Sequence, residues 1–475
     1  MLRAISKIFK RNSRDPEHRH QMVRARYDAA QTTADNMRHW AAADSLGPDA
    51  AANPDVRQRL RNRARYEVAN NSYAKGIGLT LANDAIGTGA RLQMLTENME
   101  LNREIEHSFL EWALEVNLAE KLRTMRLALF QDGEAFAILN SNPMLEHDVK
   151  LDLLLLEADQ VTSGFGMVQP DNEIDGVIFD DCGNPIAYRV LKYHPGEMRM
   201  VYTNHLNSMI VPAENMIHLY RLDRPGMHRG IPEITPALPL FAMLRRFTLA
   251  TLGTAESAAN FAAILYTDAP ANGEADAVEP MDAIELERNM LLTMPGGWKM
   301  SQLNPAHPAS TYAEFKHEIL NEIARCLSLP YNIAACNSSG YNYSSGRLDH
   351  QTYYKSIQVF QDWFASRVLN RILKAWLLEY CLQQSEVLNM VYDQRLHTWF
   401  WDGMEHVDPS KEANAQQTRL ENMTTNLAIE YARQGRDWES ELRQVARERE
   451  LMQQLNISTQ EVNPKSNPKE TKKDE

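Results

Sequence analysis

Along the first half of the chain the hydrophobic period changes twice. From Asn53 to about residue 130, NPDVRQRLRNRARYEVANNSYAKGIGLTLANDAIGTG and MELNREIEHSFLEWALEVN carry Leu, Ile, Val and Trp at helical spacing, with GTGARLQ between them. That pattern predicts helix, short strand, helix. From Phe130 to Arg221 apolar residues recur at every second position in short runs: EAFAILN, VKLDLLLLEA, DGVIFD, PIAYRVLKY, EMRMVYT and NMIHLYRL. These read as strands. In MIHLYR, Ile217 and Leu219 fall on one side and His218 and Tyr220 on the other, as in a half-buried strand. DDCGNP between two runs reads as a hairpin turn in which Gly183 and Asn184 supply positive φ.

Helical spacing returns after RGIPEITP and runs through Tyr266. TDAPANGEADAVEPMDAIELERNMLLTMPGGWKMSQLNPAHP then breaks it, with seven acidic residues against Arg288 and Lys299, and reads as a small insertion domain. A second helix is expected from Thr311, where T-Y-A-E has the form of a capping box; Phe315, Ile319, Ile323 and Leu327 share a stripe, and Pro330 ends it. NSSGYNYSSG at 337–346 has no charge and no aliphatic side chain. Behind it, from Ser345 to Tyr380, Tyr353, Ile357, Phe360, Phe364, Val368, Ile372 and Trp376 recur every three or four positions. This predicts a packed helix of roughly 54 Å at 1.5 Å per residue, with Ser344 or Ser345 as its cap and Gly346 weakening its first turn. Beyond it WFWDGMEHVDP returns to strand or loop, Pro409 opens a helix that Gly435 closes, and Asp437 caps another to about Leu455. NPKSNPKETKKDE is expected to be disordered.

With 475 residues, 44% hydrophobic and 24% charged, the chain has ordinary globular composition and length for several folded units. The fold class is α+β. A net charge of −13 argues against a protein that coats nucleic acid or an anionic membrane with its whole surface. The exception is residues 1–26, where Arg3, Lys7, Lys10, Arg11, Arg14, Arg19, Arg24 and Arg26 face Asp15 and Glu17 alone. We read it as a loose basic arm. Cys182, Cys326, Cys336 and Cys381 lack metal-ligand spacing and are expected as free thiols. The apolar stretch at 237–266 is interrupted by Arg245, Arg246 and Glu256, so neither a membrane anchor nor a secretion signal is expected.

No nucleotide, zinc or nucleophile signature is found, and no catalytic residue, metal or cofactor is assigned. Asp180 and Asp181 are the carboxylates that a metal-dependent DNA-processing enzyme would use, although the Gly-Asn-Pro context favours turn formation. A third possibility is a scaffold or adaptor without a channel.

Five segments in register resemble the lambda family of tailed-phage portal proteins. They are ANNSYAKGIGLTLANDAIGTGARLQ (69–93), DGVIFDDCGNPIAYRVLKYHP (175–195), HRGIPEITPALPLFAMLRRFTLATLGTAESAANFAA (228–263), LSLPYNIAACNSSGYNYSSGRLDHQTYYKSIQVFQDWF (327–364) and WDGMEHVDPSKEANAQQTRLENMTTNLAIEYARQGRDW (401–438). The resemblance implies a multi-domain subunit with long helices, assembling into a ring, usually of twelve, at one capsid vertex, through which double-stranded DNA is packaged and ejected. It implies a basic arm over 1–52, a wing over 53–230, stem helices at 231–266 and 309–330, and a clip at 267–308. It further implies a tunnel loop at 331–346, a long tunnel helix at 347–381, a return to the wing at 382–408, crown helices at 409–460 and a tail at 461–475. Partners would be other copies of the chain, the terminase large subunit that hydrolyses ATP, a head–tail adaptor, and the major capsid and scaffold proteins, but no membrane. Localisation would be the virion, and the host cytoplasm during assembly. The tunnel loop would offer Asn337, Ser338, Ser339, Gly340, Tyr341, Asn342 and Tyr343 to DNA, with Lys299, Lys316 and Arg347 as basic channel residues. Gly346 stands where the resemblance implies a small residue such as Ala, a departure that bears on the loop's stiffness.

Overall fold

The computed structural model describes residues 37–163, 172–197, 208–260, 264–267, 298–301, 309–383, 396–403 and 409–455. The basic arm before residue 37, the centre of the acidic insertion and the tail beyond 455 lie outside the described residues.

Asparagines punctuate the first helices. After a single turn at Pro48–Ala51 (α1), Asn53 caps α2 (Pro54–Asn70) by accepting from the Val56 N–H, with Pro54 at the first position. Asn71 caps α3 (Ser72–Ile86), so a stretch read as one helix is two. Strand β1 (Arg91–Met94) follows, then α4 (Met99–Glu115), capped by Asn98, and α5 (Leu118–Gln131). Buried Ile77, Leu81, Phe109, Trp112, Leu122 and Phe130 unite these helices in the main core.

The strand region forms two antiparallel sheets. β2 (Glu134–Ser141) lies between β3 (Leu151–Leu156) and β8 (Met216–Tyr220), while β4 (Glu173–Ile174), β5 (Val177–Phe179), β6 (Pro185–Leu191) and β7 (Ser208–Pro212) pair in sequence order. The alternation in MIHLYR holds, but the expectation of a half-buried strand does not. Ile217 and Leu219 enter the main core, while Met216 joins Phe136, Val177, Tyr188 and Val190 in a second core on the opposite face. His218 stacks on Phe136 at 4.2 Å between ring centroids. At the β5–β6 hairpin Gly183 alone has positive φ, +81°, and Asn184 does not.

α6 (Leu238–Asn260) stops short of Tyr266, which instead lies in β9 (Ile264–Thr267). β9 pairs antiparallel with β10 (Trp298–Ser301), Ile264 opposite Ser301 and Thr267 opposite Trp298. α7 (Ala309–Cys326) starts two residues before the expected cap, leaving Thr311 inside the helix. It also ends before Pro330. Ser328 takes the left-handed conformation, φ +57°, and the Leu329 N–H closes on the Ala324 carbonyl at 3.0 Å. Pro330 instead precedes the single turn α8 (Tyr331–Ala334).

The long helix runs as α9 (Tyr343–Phe364), a π-turn at Ala365–Leu369 and α10 (Asn370–Gln383). Tyr353, Ile357, Phe364, Val368, Ile372 and Trp376 are buried, and Phe360 is half-buried against them. From Phe360 to Tyr380 the apolar residues are spaced by four. In an unbroken α-helix five such steps would rotate the stripe by about 200°. The wider π-turn takes up part of that drift and keeps the stripe on the core.

β11 (His397–Phe400) returns to pair with β1, Arg91 opposite Phe400 and Met94 opposite His397. The expected helix from Pro409 to Gly435 is in fact two. α11 (Pro409–Glu421) ends near Met423 at φ +55°, Asn426 caps α12 (Leu427–Arg433), and Gly435 at φ +70° closes it. Asp437 caps α13 (Trp438–Gln454), as the sequence predicts. None of the four cysteines is in a disulfide. Among the described residues no helix is long and apolar enough to cross a membrane.

Candidate functional site

The loop expected over residues 331–346 is shorter in the structure and partly helical. α8 occupies its first four residues and α9 begins at Tyr343, so the loop proper is residues 335–342. Cys336 at φ +50° and Gly340 at φ +89° supply the two left-handed turns that fold it back. The Asn337 N–H donates to the Asn332 carbonyl at 3.0 Å, the Asn337 carboxamide oxygen accepts from the Ser339 N–H at 2.9 Å, and the Tyr341 N–H reaches the Ser338 carbonyl at 3.2 Å. Residues 336–340 are all exposed.

Helix α9 is capped by Asn342, not by Ser344 or Ser345. Asn342 Oδ1 accepts from the Ser345 N–H at 2.9 Å, and the Ser345 hydroxyl returns to the Asn342 N–H at 3.2 Å, a reciprocal capping box. The loop therefore runs directly into the helix dipole's N-terminal end. Tyr341 is half-buried, and burial pushes its hydroxyl up from its ordinary value. The loop presents hydroxyls, carboxamides and backbone N–H groups, which meet phosphates without reading bases.

The three basic residues named with the loop are placed differently. Arg347 is exposed on the first turns of α9, and its side chain has no hydrogen bond or ion pair with a described residue. Lys316, on α7, holds its ammonium 5.1 Å from the Tyr73 ring and 5.9 Å from that of Tyr312. A hydrogen bond with Tyr73 raises its pKa, so it belongs to the α3–α7 packing. Lys299 lies on β10 opposite Tyr266, and its side chain is outside the described residues. None of them makes a described contact with the loop.

The lever is tied to the helices beneath it. Tyr353 donates its hydroxyl hydrogen to Asp84 Oδ2 at 2.7 Å, and Gln361 donates to the Ala85 carbonyl at 3.1 Å. Burial next to Asp84 pushes the Tyr353 hydroxyl far above its usual range.

A buried cluster that the sequence reading missed lies where the segment HRGIPE crosses β2. Arg229 is fully buried; its Nε donates to Glu134 Oε2 at 2.8 Å and its Nη2 to Glu134 Oε1 at 2.6 Å, while Nη1 reaches the Val161 carbonyl at 2.9 Å and Asp175 Oδ2 at 3.0 Å. Arg57 also pairs with Asp175, and Arg61 with Asp159. Burial alone would push Glu134 up, but Arg229 and the bond from His218 hold it well below the carboxylate range. Its signal was present in GEAFAIL: a lone carboxylate beginning an otherwise apolar strand needs a buried partner.

Asp180, the candidate metal carboxylate, is committed to its turn. Its Oδ1 accepts from the Cys182 and Asn184 N–H groups at 2.9 and 2.7 Å, and its Oδ2 from the Asn184 carboxamide at 3.0 Å. Asp181 is exposed beside it. Among the described residues, the group of three possible metal ligands that comes together is Glu157, Asp159 and His194. Arg65 already spans those two carboxylates, at 2.8 Å from Asp159 and 3.3 Å from Glu157, so a cation would have to displace a guanidinium.

Residues 33–361 match the family described as phage portal protein, lambda family. A probable portal protein of Halomonas phage phiHAP-1 is 23% identical over 429 residues, 84% of this chain and 82% of the relative. Among solved structures, a chain in the virion of a native gene transfer agent particle has a TM-score of 0.45 at 13% identity, covering 83% of this chain and 97% of its own. An HK97 family phage portal protein from Corynebacterium diphtheriae has a TM-score of 0.32 at 11% identity, covering 74% and 96%.

Proposed function

The chain belongs to the lambda family of phage portal proteins, and on that premise we propose that it forms a closed ring at one capsid vertex through which double-stranded DNA enters and leaves the virion. The ring is commonly of twelve subunits in this family. The observation that supports a channel most directly is the loop at 335–342. Its residues 336–340 are exposed, it is uncharged and internally hydrogen-bonded, and it stands at the end of a helix whose other face is buried.

Such a ring of loops touches a duplex by neutral hydrogen bonds to phosphates, each weak and blind to sequence, so DNA slides past instead of binding. The net charge of −13 per chain works in the same direction, since an acidic lumen repels phosphates. Arg347, exposed behind the loop, is the basic residue best placed for a local brake. In this reading α2 to α5, β1 and the two sheets, with the return through β11, form the wing, α6 and α7 the stem, the insertion with the β9–β10 hairpin the clip, and α11 to α13 the crown. The clip would receive the terminase, whose ATP hydrolysis drives translocation, and the portal would contribute no catalytic residue. The head–tail adaptor, capsid and scaffold proteins would meet the outer surfaces.

Negative-stain imaging of the purified protein with its mass by light scattering tests the ring. Rings of about a dozen copies with a hole wide enough for a duplex support the reading; a monomer that stays monomeric with scaffold protein added would overturn it. Replacing residues 337–343 by Gly-Ser of equal length then tests the loop, with intact rings and altered packaging or DNA retention as the expected result.

A further inference from the structure

The loop has two anchors, α8 before it and α9 behind it. Among the described residues, one side-chain hydrogen bond joins them: the Asn332 carboxamide to His350 Nε2, 2.9 Å, across eighteen positions. We propose that Asn332 and His350 are a clasp that fixes how far the 335–342 loop stands off the lever, and that they are positioning residues for its contact with DNA. This rests on the portal reading above.

Asn332 serves the loop from two sides. Its carbonyl accepts the Asn337 N–H at the loop's start, and its side chain reaches the lever. Its side chain is buried; Nδ2 makes the bond to His350, and Oδ1 has no partner among the described residues. The bond to His350 is thus what keeps a buried carboxamide in place. Without it the amide has no hydrogen bond at either end, and moving toward water becomes favourable. His350 is itself held. Its Nδ1 lies 3.4 Å from the Tyr354 hydroxyl, and the neighbouring Tyr353 is bonded to Asp84 on α3. The clasp therefore connects the loop to the α3–α9 packing, and a shift of the lever is carried to the loop.

As placed, the carboxamide donates to Nε2, so the imidazole need only accept. His350→Gln offers an amide oxygen at similar reach and is the conservative variant; His350→Leu removes the acceptor. In purified full-length rings, hydrogen exchange of the amides from Asn337 to Asn342 should quicken about tenfold in His350→Leu and in Asn332→Ala, the effect of losing about 1.4 kcal/mol of local protection. In His350→Gln it should stay near the parent rate, and imaging should find rings in all variants. Parent-like exchange in His350→Leu, or equal quickening in Gln and Leu, would overturn the clasp. Packaging separates this inference from the one beneath it. A His350→Leu ring with a loosened loop that packages and retains DNA normally leaves the clasp standing and removes the loop's role in DNA handling.

Discussion

The guanidinium of Arg229 lies fully buried against the carboxylate of Glu134 in a two-pronged pair, Nε to Oε2 at 2.8 Å and Nη2 to Oε1 at 2.6 Å. It joins β2, one of the strands shared by both hydrophobic cores, to the segment that leads into α6. Removing one partner leaves the other charged and buried. Arg229→Ala should cost about 3–5 kcal/mol in urea unfolding, and Arg229→Lys should recover little of it, because an ammonium cannot span both oxygens. A loss below about 1 kcal/mol would mean that the pair barely outweighs its desolvation.

The same crossing requires two glycines. A Cβ on Gly230 would lie 2.0 Å from the Gly133 carbonyl oxygen, and Gly133 itself sits at φ +87° with the Ile231 carbonyl carbon 2.2 Å from its own virtual Cβ. Gly230→Ala should therefore abolish soluble expression or lower stability by about 3 kcal/mol or more, since backbone has to move on both sides. Soluble protein with unchanged unfolding would show that the crossing is looser than drawn.

Gly346 is the opposite case. It is helical, and a Cβ there meets no atom within 4 Å. Gly346→Ala should stabilise the first turns of α9 by roughly 1 kcal/mol, read as slower amide exchange there. If packaging then slows while rings remain intact, flexibility behind the loop is used in function.

Two sets of carboxylates give stability opposite dependences on pH. Burial pushes Glu134 and Asp159 up, but Arg229 and Arg61 hold them below their ordinary values. They take up protons in the unfolded chain first, so their stabilisation is present at neutral pH and is lost as pH falls below about 4. Glu106 behaves the other way. Burial, helped by Asp437 and Glu439 and opposed by the Met94 N–H, raises it to about 7. The folded chain then holds the proton longer than the unfolded one, so stability falls as pH rises from about 4 to about 7. Glu106→Gln should flatten the change in urea midpoint between pH 5 and 8 while leaving the acid limb unaltered; an unchanged slope would remove Glu106 from this role.

Some of the protein was legible because it is written in local repeats. The period-two runs in EAFAILN and MIHLYR, the stripe from Tyr353 to Trp376, the Pro409 helix start and the Asp437 cap each depend on residues within a few positions of one another. The loop was legible as well, since ten consecutive residues without charge or aliphatic side chain need no neighbour to be noticed. Local cues failed where packing outweighed them. The T-Y-A-E signal lost its cap because α7 begins earlier: Tyr312 stacks on Phe247 of α6 at 5.8 Å and Phe315 lies 4.2 Å from the same ring. A cap's contribution of about 1 kcal/mol does not set a helix end against such contacts. The apolar repeat likewise fixed which face of the lever is buried, whereas the π-turn that keeps that face in register exists only because a core lies along it. The β1–β11 pair, the Arg229–Glu134 crossing and the Asn332–His350 clasp join residues that carry no sign of one another in sequence. Their energies arise from burial and approach, which the folded chain alone supplies.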